Sequence, residues 1–317
     1  MRTVVIMGNV DGAVIDGLAR EYPEFEFHLF PNSHAPDELL ERAEVVVSGG
    51  NGTFLTKTKN LKWLHTVSAG VDHVLPIADR LYGDALQISN SSGNYGVPIS
   101  EHLLAMMLAF AHQIPASMRN MSTGRWEKSL RCRELTGATV GIIGLGDIGT
   151  TLVALLEPFH CPVLGWKRTQ ADAPKGVNEM LYGPEGLDEL LRRSDYAAIC
   201  LPGTPQTEGL IDRRRLALMK PTAVLLNIGR GSIVDHDALA EALAAGRLAG
   251  AGLDVTEPEP LPPEHPLWRQ TNALITPHIS GWTEQWPRRA AEFFALNLRA
   301  WVQGQPLPGA VDRIHKY

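Results

Sequence analysis

Residues 139–149 read TVGIIGLGDIG and run directly into TTLVALLEPF at 150–159, and this stretch decides the fold. A short β-branched run enters a glycine-rich turn, and the turn opens an apolar helical pattern, the order a dinucleotide-binding βα unit needs. Gly144 permits the tight turn, Gly146 lets backbone approach a pyrophosphate, and Gly149 allows close packing of helix on strand. The first amides of the helix, from Asp147 and Ile148 onward, are donors for an anion. A merely tight βα turn is the bland alternative.

Toward the C-terminus the same alternation continues through PVLGW at 162–166, YAAICLP at 196–202, AVLLNIG at 223–229, AGAGLDV at 249–255 and ALITPHI at 273–279. Toward the N-terminus a separate series appears: TVVIM at 3–7, FEFHLF at 25–30, EVVVSG at 44–49 and KWLHTVS at 62–68. Short apolar strands alternating with helical patterns indicate βαβ units and parallel sheets. The expected fold class is therefore α/β, two doubly wound parallel-sheet domains, one Rossmann-like and one flavodoxin-like, with a cleft between them. A long apolar helical stretch, roughly 98–122, separates the two series, and Pro115 is expected to kink or break it. A last amphipathic helix, roughly 283–302, and the tail LPGAVDRIHKY are too poor in apolar residues to form a core alone, so they must pack on something already built.

Composition sets the outer bounds. At 317 residues the chain exceeds one comfortable core, since domains usually run ~100–200 residues. Hydrophobic residues at 44% and charged residues at 20% exclude a disordered chain, and no window reaches the ~18 apolar residues of a membrane span. Twenty-nine basic against 35 acidic residues give a net charge of −6, which argues against a broad phosphate-binding surface and against nucleic acid as partner. Cys132, Cys161 and Cys200 form no CxxC pair, so neither a disulfide framework nor a thiolate metal site is indicated. The opening MRTVVIMGNV reads as a strand rather than a signal sequence, and a cytoplasmic location is expected.

Chemistry concentrates at strand ends. After PVLGW, where a cofactor without a ribose 2′-phosphate usually meets an Asp or Glu, the chain reads Trp166, Lys167, Arg168, Thr169. Arg168 offers a planar donor fork and Lys167 a point charge, which points to NADP(H) rather than NAD(H). The bland alternative is a pair of solvated loop cations. Three later strands run into NIGRG at 227–231, GLDVTEPEP at 252–260 and TPHISG at 276–281. Each delivers one capable group, Arg230, Glu259 and His278, so a cation, a carboxylate and an imidazole can converge beside a nicotinamide. That is equipment for reducing a 2-oxo acid: charge builds on the carbonyl oxygen and needs a proton donor within reach. A carboxylate beside His278 should orient the ring and raise its pKa. His65, His73, His102 and His265 lack metal-ligand spacing and are expected in the core or on the surface; no metal is expected.

At this point the sequence resembles the D-isomer-specific 2-hydroxyacid dehydrogenase family. The match rests on GLGDIG, LPGTPQTEGLI at 201–211, NIGRGSIVD at 227–235, GLDVTEPEP and TPHISG, with SAGVD at 68–72 upstream. The resemblance implies that Arg230 binds the substrate carboxylate and carbonyl, that His278 is the acid/base and Glu259 its partner, and that backbone around Ala69, Gly70 and Val71 binds the carboxylate. It implies that Asp254 meets the nicotinamide amide. It places Leu201, Pro202, Thr207, Ile228, Gly229 and Gly281 around the cofactor with Gly144, Gly146, Gly149, Lys167, Arg168, Thr169, Arg230 and His278. It also implies a discontinuous substrate domain, 1–98 plus 285–317, over a cofactor domain of 99–284, and a homodimer through the cofactor domains.

Within the family the Lys167-Arg168 pair looks like the glyoxylate and hydroxypyruvate reductases, and these small 2-oxo acids are the favoured substrates, reduced to D-2-hydroxy acids. The short C-terminus counts against phosphoglycerate dehydrogenases, and Glu259 against formate dehydrogenases, whose pattern pairs His with Gln. Trp282 and Trp126 are candidate pocket walls that equally suit packing. A dehydrogenase for bulkier, phenylpyruvate-type acids stays open, as does a dinucleotide-sensing protein like the C-terminal-binding-protein corepressors, because fold alone does not fix function. The apolar run PISEHLLAMMLAFAHQI is expected between domains or in a subunit interface.

Overall fold

A computed structural model describes residues 1–32 and 34–313. The chain divides into two compact units, residues 1–95 with the C-terminal segment from Trp282, and Gly96–Gly281. The crossings thus fall three residues earlier than the boundaries expected at 98 and 284, the first because helix already begins at Gly96.

The first unit contains β1 (Arg2–Met7), α1 (Gly12–Glu21), β2 (Phe25–Phe30), α2 (Asp37–Arg42), β3 (Ala43–Ser48), β4 (Trp63–Thr66), α3 (Leu75–Tyr82) and β5 (Gln87–Ser89). Its strands pair in parallel in the order β2-β1-β3-β4-β5, so the winding reverses between β1 and β3. Alternate residues of one strand serve opposite faces, which is why VVIM is apolar throughout. Val4 and Ile6 pack with Ile15 and Leu18, while Val5 and Met7 pack with Leu40, Leu75 and Ala78.

The second unit runs α4 (Gly96–Ala111), α5 (Ile114–Ser122), β6 (Val140–Ile143), α6 (Asp147–Leu156), β7 (Val163–Lys167), β8 (Glu179–Tyr182), α7 (Gly183–Arg193), β9 (Tyr196–Ile199), α8 (Arg213–Leu216), β10 (Val224–Asn227), α9 (His236–Ala244), β11 (Gly250–Leu253) and β12 (Ala273–Ile275). Its parallel order is β12-β11-β10-β9-β6-β7-β8, with the reversal between β6 and β9. The chain then returns to the first unit as α10 (Trp286–Val302), where Ala290, Ala291, Phe294 and Leu298 cover the face of Val4 and Ile6. That is the ready-made surface the final helix needs. The two parallel-sheet units establish the expected α/β class.

The long stretch 98–122 breaks near Pro115, as expected, into two helices: Gln113 takes a left-handed φ of 54° and Pro115 sits in the first turn of α5, where its missing N–H costs no intrahelical bond. On one face of its apolar first half, Leu103, Met106 and Met107 pack against Leu152, Val153, Leu156 and Ile142 of their own unit. The edge strands β5 and β8, QIS and EMLY, are three and four residues long and carry no run of β-branched residues to announce them. No helix of the described residues is long and apolar enough to cross a membrane.

Candidate active site

The reversal between β6 and β9 puts a crevice at the carboxyl ends of the second sheet, where open α/β sheets bind ligands. The glycine turn lies there. Gly144 has φ 103°, and a Cβ on Gly149 would come within 2.2 Å of the Gly144 carbonyl oxygen, so α6 can start this close to β6 only without side chains. A Cβ on Gly146, by contrast, meets nothing within 4 Å: the backbone there faces open space. Gly146 is also the N-cap of α6 and no side chain caps it, so the first amides of Asp147, Ile148 and Gly149 keep their capacity to bind an anion. Those are the features a pyrophosphate requires, and the residues present fit a dinucleotide.

Around this turn the neighbouring strand ends close in. A Cβ on Gly144 would touch the Cys200 carbonyl, and one on Gly229 would lie 2.4 Å from the Leu201 carbonyl, so the loops after β6, β9 and β10 pack backbone to backbone. Thr207 Oγ1 donates to the Pro202 carbonyl at 2.8 Å and accepts from Thr204 N at 2.9 Å, which folds the segment after Leu201 into a tight loop. Ile228 is buried. Lys167 closes β7 half-buried, and Arg168 and Thr169 follow it exposed.

The catalytic candidates follow β10, β11 and β12, which are adjacent in the sheet. Arg230 lies three residues beyond β10; its Nη1 donates to the Gly229 carbonyl at 2.8 Å, and its own carbonyl accepts from Asn227 Nδ2 at 2.9 Å. A side chain at Gly231 would sit 2.0 Å from the Thr256 carbonyl, so the loop bearing Arg230 presses on the loop bearing Glu259. His278 Nδ1 and Glu259 Oε1 are 2.6 Å apart, with both side chains nearly half exposed. Nδ1 bonded to the carboxylate leaves Nε2 as the face of the ring available for a proton.

Asp254 holds the turn that carries His278. It is 1% exposed, and its carboxylate accepts from Thr276 Oγ1 at 2.5 Å and from the N–H groups of Ile279 and Ser280 at 3.0 Å each. Burial pushes its pKa up, but the bonds from Ser280, Thr276 and Ile279 outweigh that and hold it below the usual aspartate value. His278 has a left-handed φ of 52°, a conformation that costs about 1 kcal/mol or more in a non-glycine residue. The Asp254 carbonyl accepts from His278 N at 2.8 Å, so main chain and side chain of one aspartate together hold the strained turn that aims the imidazole.

Reading the residues alone missed His102. Its Nε2 lies 3.1 Å from Thr276 Oγ1, and because the threonine proton goes to Asp254, the imidazole is the donor. The two residues are 174 positions apart, and no local pattern links them. Trp126 and Trp282 are exposed, and Trp282 stacks on Trp286. A cavity of about 540 Å³ opens at the other edge of the sheet, lined by Ala138, Tyr196, Val224 and Ala249 near the strand starts. Its position at the amino edge separates it from all of the groups above.

With this geometry in view, the comparisons are coherent. Residues 104–280 match the family model described as the D-isomer specific 2-hydroxyacid dehydrogenase, NAD binding domain. The chain belongs to that family. A glyoxylate reductase of Thermofilum pendens is 36% identical over 302 residues, covering 93% of this chain and 87% of that one. A D-3-phosphoglycerate dehydrogenase of Mycobacterium tuberculosis is 32% identical over 96% of this chain and 54% of its own length. Among solved structures, an NADPH-dependent glyoxylate/hydroxypyruvate reductase from Sinorhizobium meliloti, in complex with NADP and sulfate, superposes with a TM-score of 0.82 at 27% identity, covering all of both chains. The protein is thus a nicotinamide-dinucleotide-dependent oxidoreductase of the 2-hydroxyacid dehydrogenase class.

Proposed function

We propose that the protein reduces a small 2-oxo acid, glyoxylate to glycolate or hydroxypyruvate to D-glycerate, with NADPH as the preferred donor. The observation that carries this reading is the His278–Glu259 hydrogen bond of 2.6 Å, placed after β12 in the sheet whose switch point bears the glycine turn.

Gly144, Gly146 and the first amides of α6 would hold the pyrophosphate, and Lys167 and Arg168 the ribose 2′-phosphate. A nicotinamide held there would supply the hydride that the carbonyl carbon takes up. Arg230 grips the substrate by its guanidinium fork, polarises the carbonyl and fixes the approach geometry. As negative charge develops on the carbonyl oxygen, His278 donates its Nε2 proton there, and Glu259 steadies the ring through Nδ1. Hydride plus proton account for the hydroxy acid, and His278 is left neutral until it takes a proton from solvent. The N–H groups of Ala69, Gly70 and Val71 bind the carboxylate.

The test follows NADPH and NADH oxidation with glyoxylate, hydroxypyruvate, pyruvate and phenylpyruvate, with chiral analysis of the product. Turnover of the two small acids with a higher kcat/KM for NADPH is expected. A panel without turnover, or one led by phenylpyruvate, rejects the substrate assignment, and a preference for NADH rejects the cofactor assignment.

A further inference from the structure

In the first unit, six consecutive carbonyl oxygens of one loop all accept hydrogen bonds. Thr66 O accepts from Ser91 Oγ, Val67 O from Tyr95 Oη, Ser68 O from Thr66 Oγ1 and Ser91 N, and Ala69 O from Asn90 Nδ2. Gly70 O accepts from Ser68 Oγ, and Val71 O from the N–H groups of Val74 and Leu75 at the start of α3. In a trans peptide the N–H of the next residue points opposite to the carbonyl. Turning the carbonyls of Ser68, Ala69 and Gly70 toward these partners therefore turns the N–H groups of Ala69, Gly70 and Val71 the other way. Among the described residues none accepts from those three N–H groups. Three successive amides so turned are donors an anion can use.

Two side chains of this arrangement are buried and come from outside the loop. Asn90 is 2% exposed, and its Oδ1 accepts from Ser92 N at 3.1 Å, which aims Nδ2 at the Ala69 carbonyl, 2.7 Å away. Tyr95 is 8% exposed; its hydroxyl donates to Val67 O at 2.5 Å and accepts from Trp286 Nε1 at 2.8 Å. We infer that Asn90 and Tyr95 are positioning residues for the substrate carboxylate: Asn90 fixes the Ala69–Gly70 peptide plane, which presents the Gly70 amide, and Tyr95 fixes the Val67–Ser68 plane, from which the chain enters the donor set of Ala69, Gly70 and Val71. The inference rests on the reading that this loop binds the carboxylate of a 2-oxo acid. It assigns a function to side chains that never touch the ligand.

The experiment compares the full-length wild type with Tyr95→Phe, Asn90→Ala and a matched control, Tyr82→Phe, which removes another tyrosine-to-carbonyl bond of the same unit, to Thr58 O at 2.8 Å. Steady-state kinetics with glyoxylate are combined with binding of oxalate, an unreactive dicarboxylate, to the NADP-loaded protein, and with the Kd for NADPH. In Tyr95→Phe and Asn90→Ala, KM and the oxalate Kd should rise about tenfold, with kcat and the NADPH Kd changed far less and the control like wild type. Values of KM and oxalate Kd within twofold of wild type overturn the inference, as does a parallel loss of kcat, NADPH affinity and melting temperature, which marks general damage. If Asn90→Ala does not fold, Tyr95→Phe, which deletes one oxygen, decides alone. A wild type that binds oxalate without reducing any 2-oxo acid refutes the proposed reaction while leaving the oxalate comparison decisive; a wild type that does neither refutes both.

Discussion

The two sheets are wound on the same principle and put different chemistry at their candidate sites. In the seven-stranded sheet the loops after β10, β11 and β12 deliver side chains: Arg230, Glu259 and His278, with Asp254 holding the turn beneath the imidazole. In the five-stranded sheet the loop after β4 delivers main-chain amides, and the side chains around it serve to orient peptide planes. A side chain adds reactivity and can titrate, whereas an amide adds only a fixed dipole. Proton transfer thus belongs to the first arrangement, and recognition of a carboxylate that does not change charge suits the second.

The largest expected effects lie on the side-chain half. His278→Ala removes the proton donor and should lower kcat by about 10³-fold, within the usual range for general acid–base catalysis, while NADPH binding measured by fluorescence stays intact. A loss of tenfold or less means another group carries the proton. Arg230→Lys keeps the charge and removes the fork; kcat/KM should fall about 100-fold, as when one oriented donor is lost from a polarising site. An unchanged kcat/KM in that variant means that only net charge matters there, and the contrast between oriented side chains and oriented backbone fails on its stronger side.

The same contrast explains what the sequence discloses. The glycine turn, the parallel sheets and the His278, Glu259 and Arg230 constellation are legible because each depends on particular side chains, or their absence, within a few residues of a strand end. Asp254 is legible as a position, but its hold on the turn is not, since its partners Thr276, Ile279 and Ser280 are brought to it only when β12 lies beside β11. His102 and Tyr95 are invisible as participants because their bonds join residues 174 and 28 positions away, and hydroxyl or imidazole groups at such distances leave no period to read. The edge strands β5 and β8 are hidden by their brevity and their lack of a β-branched run. Local rules reach the chemistry of a loop, and tertiary pairing decides what holds it.

A smaller effect separates the units by pH. His65 is fully buried in the first unit beside Ser89 Oγ, and burial pushes its pKa from 6.5 down to about 3. The unfolded chain takes up a proton below pH 6.5 and the folded chain does not until about pH 3, so the unit loses stability as pH falls through that window, by about 2 kcal/mol at pH 5. In the second unit His236 is also lowered, by burial first and by His265 next, but it is less enclosed, at 6% exposed against 0%. Asp254 acts in the other direction: its pKa is depressed below 3.8, so its contribution is intact above that value and is lost only in stronger acid. Hydrogen exchange, corrected for intrinsic rates, should therefore show protection of residues 63–66 falling more between pH 7 and 5 than protection of residues 236–243. Equal loss in the two units means that the buried imidazole of β4 does not set their difference.

The smallest effect concerns the cofactor, and it tests whether an exposed side chain can discriminate as the oriented ones do. Arg168 is exposed after β7, so its attraction to a ribose 2′-phosphate is screened by water and salt, well below the value of a buried pair. A charge-assisted bond to a doubly charged phosphate is nonetheless stronger than a neutral one, and about 1.4 kcal/mol, a factor of ten, is a reasonable yield at such a position. Arg168→Ala should raise the KM for NADPH about tenfold and leave kcat/KM with NADH unchanged, because NADH carries no group for the guanidinium to bind. Raising the salt concentration should erode the wild-type preference for NADPH toward that of the variant, since the interaction is electrostatic at an exposed site. If the variant loses NADPH and NADH activity in the same proportion, Arg168 supports the loop rather than reading the phosphate, and the discrimination has to come from Lys167, which is half-buried at the end of the strand.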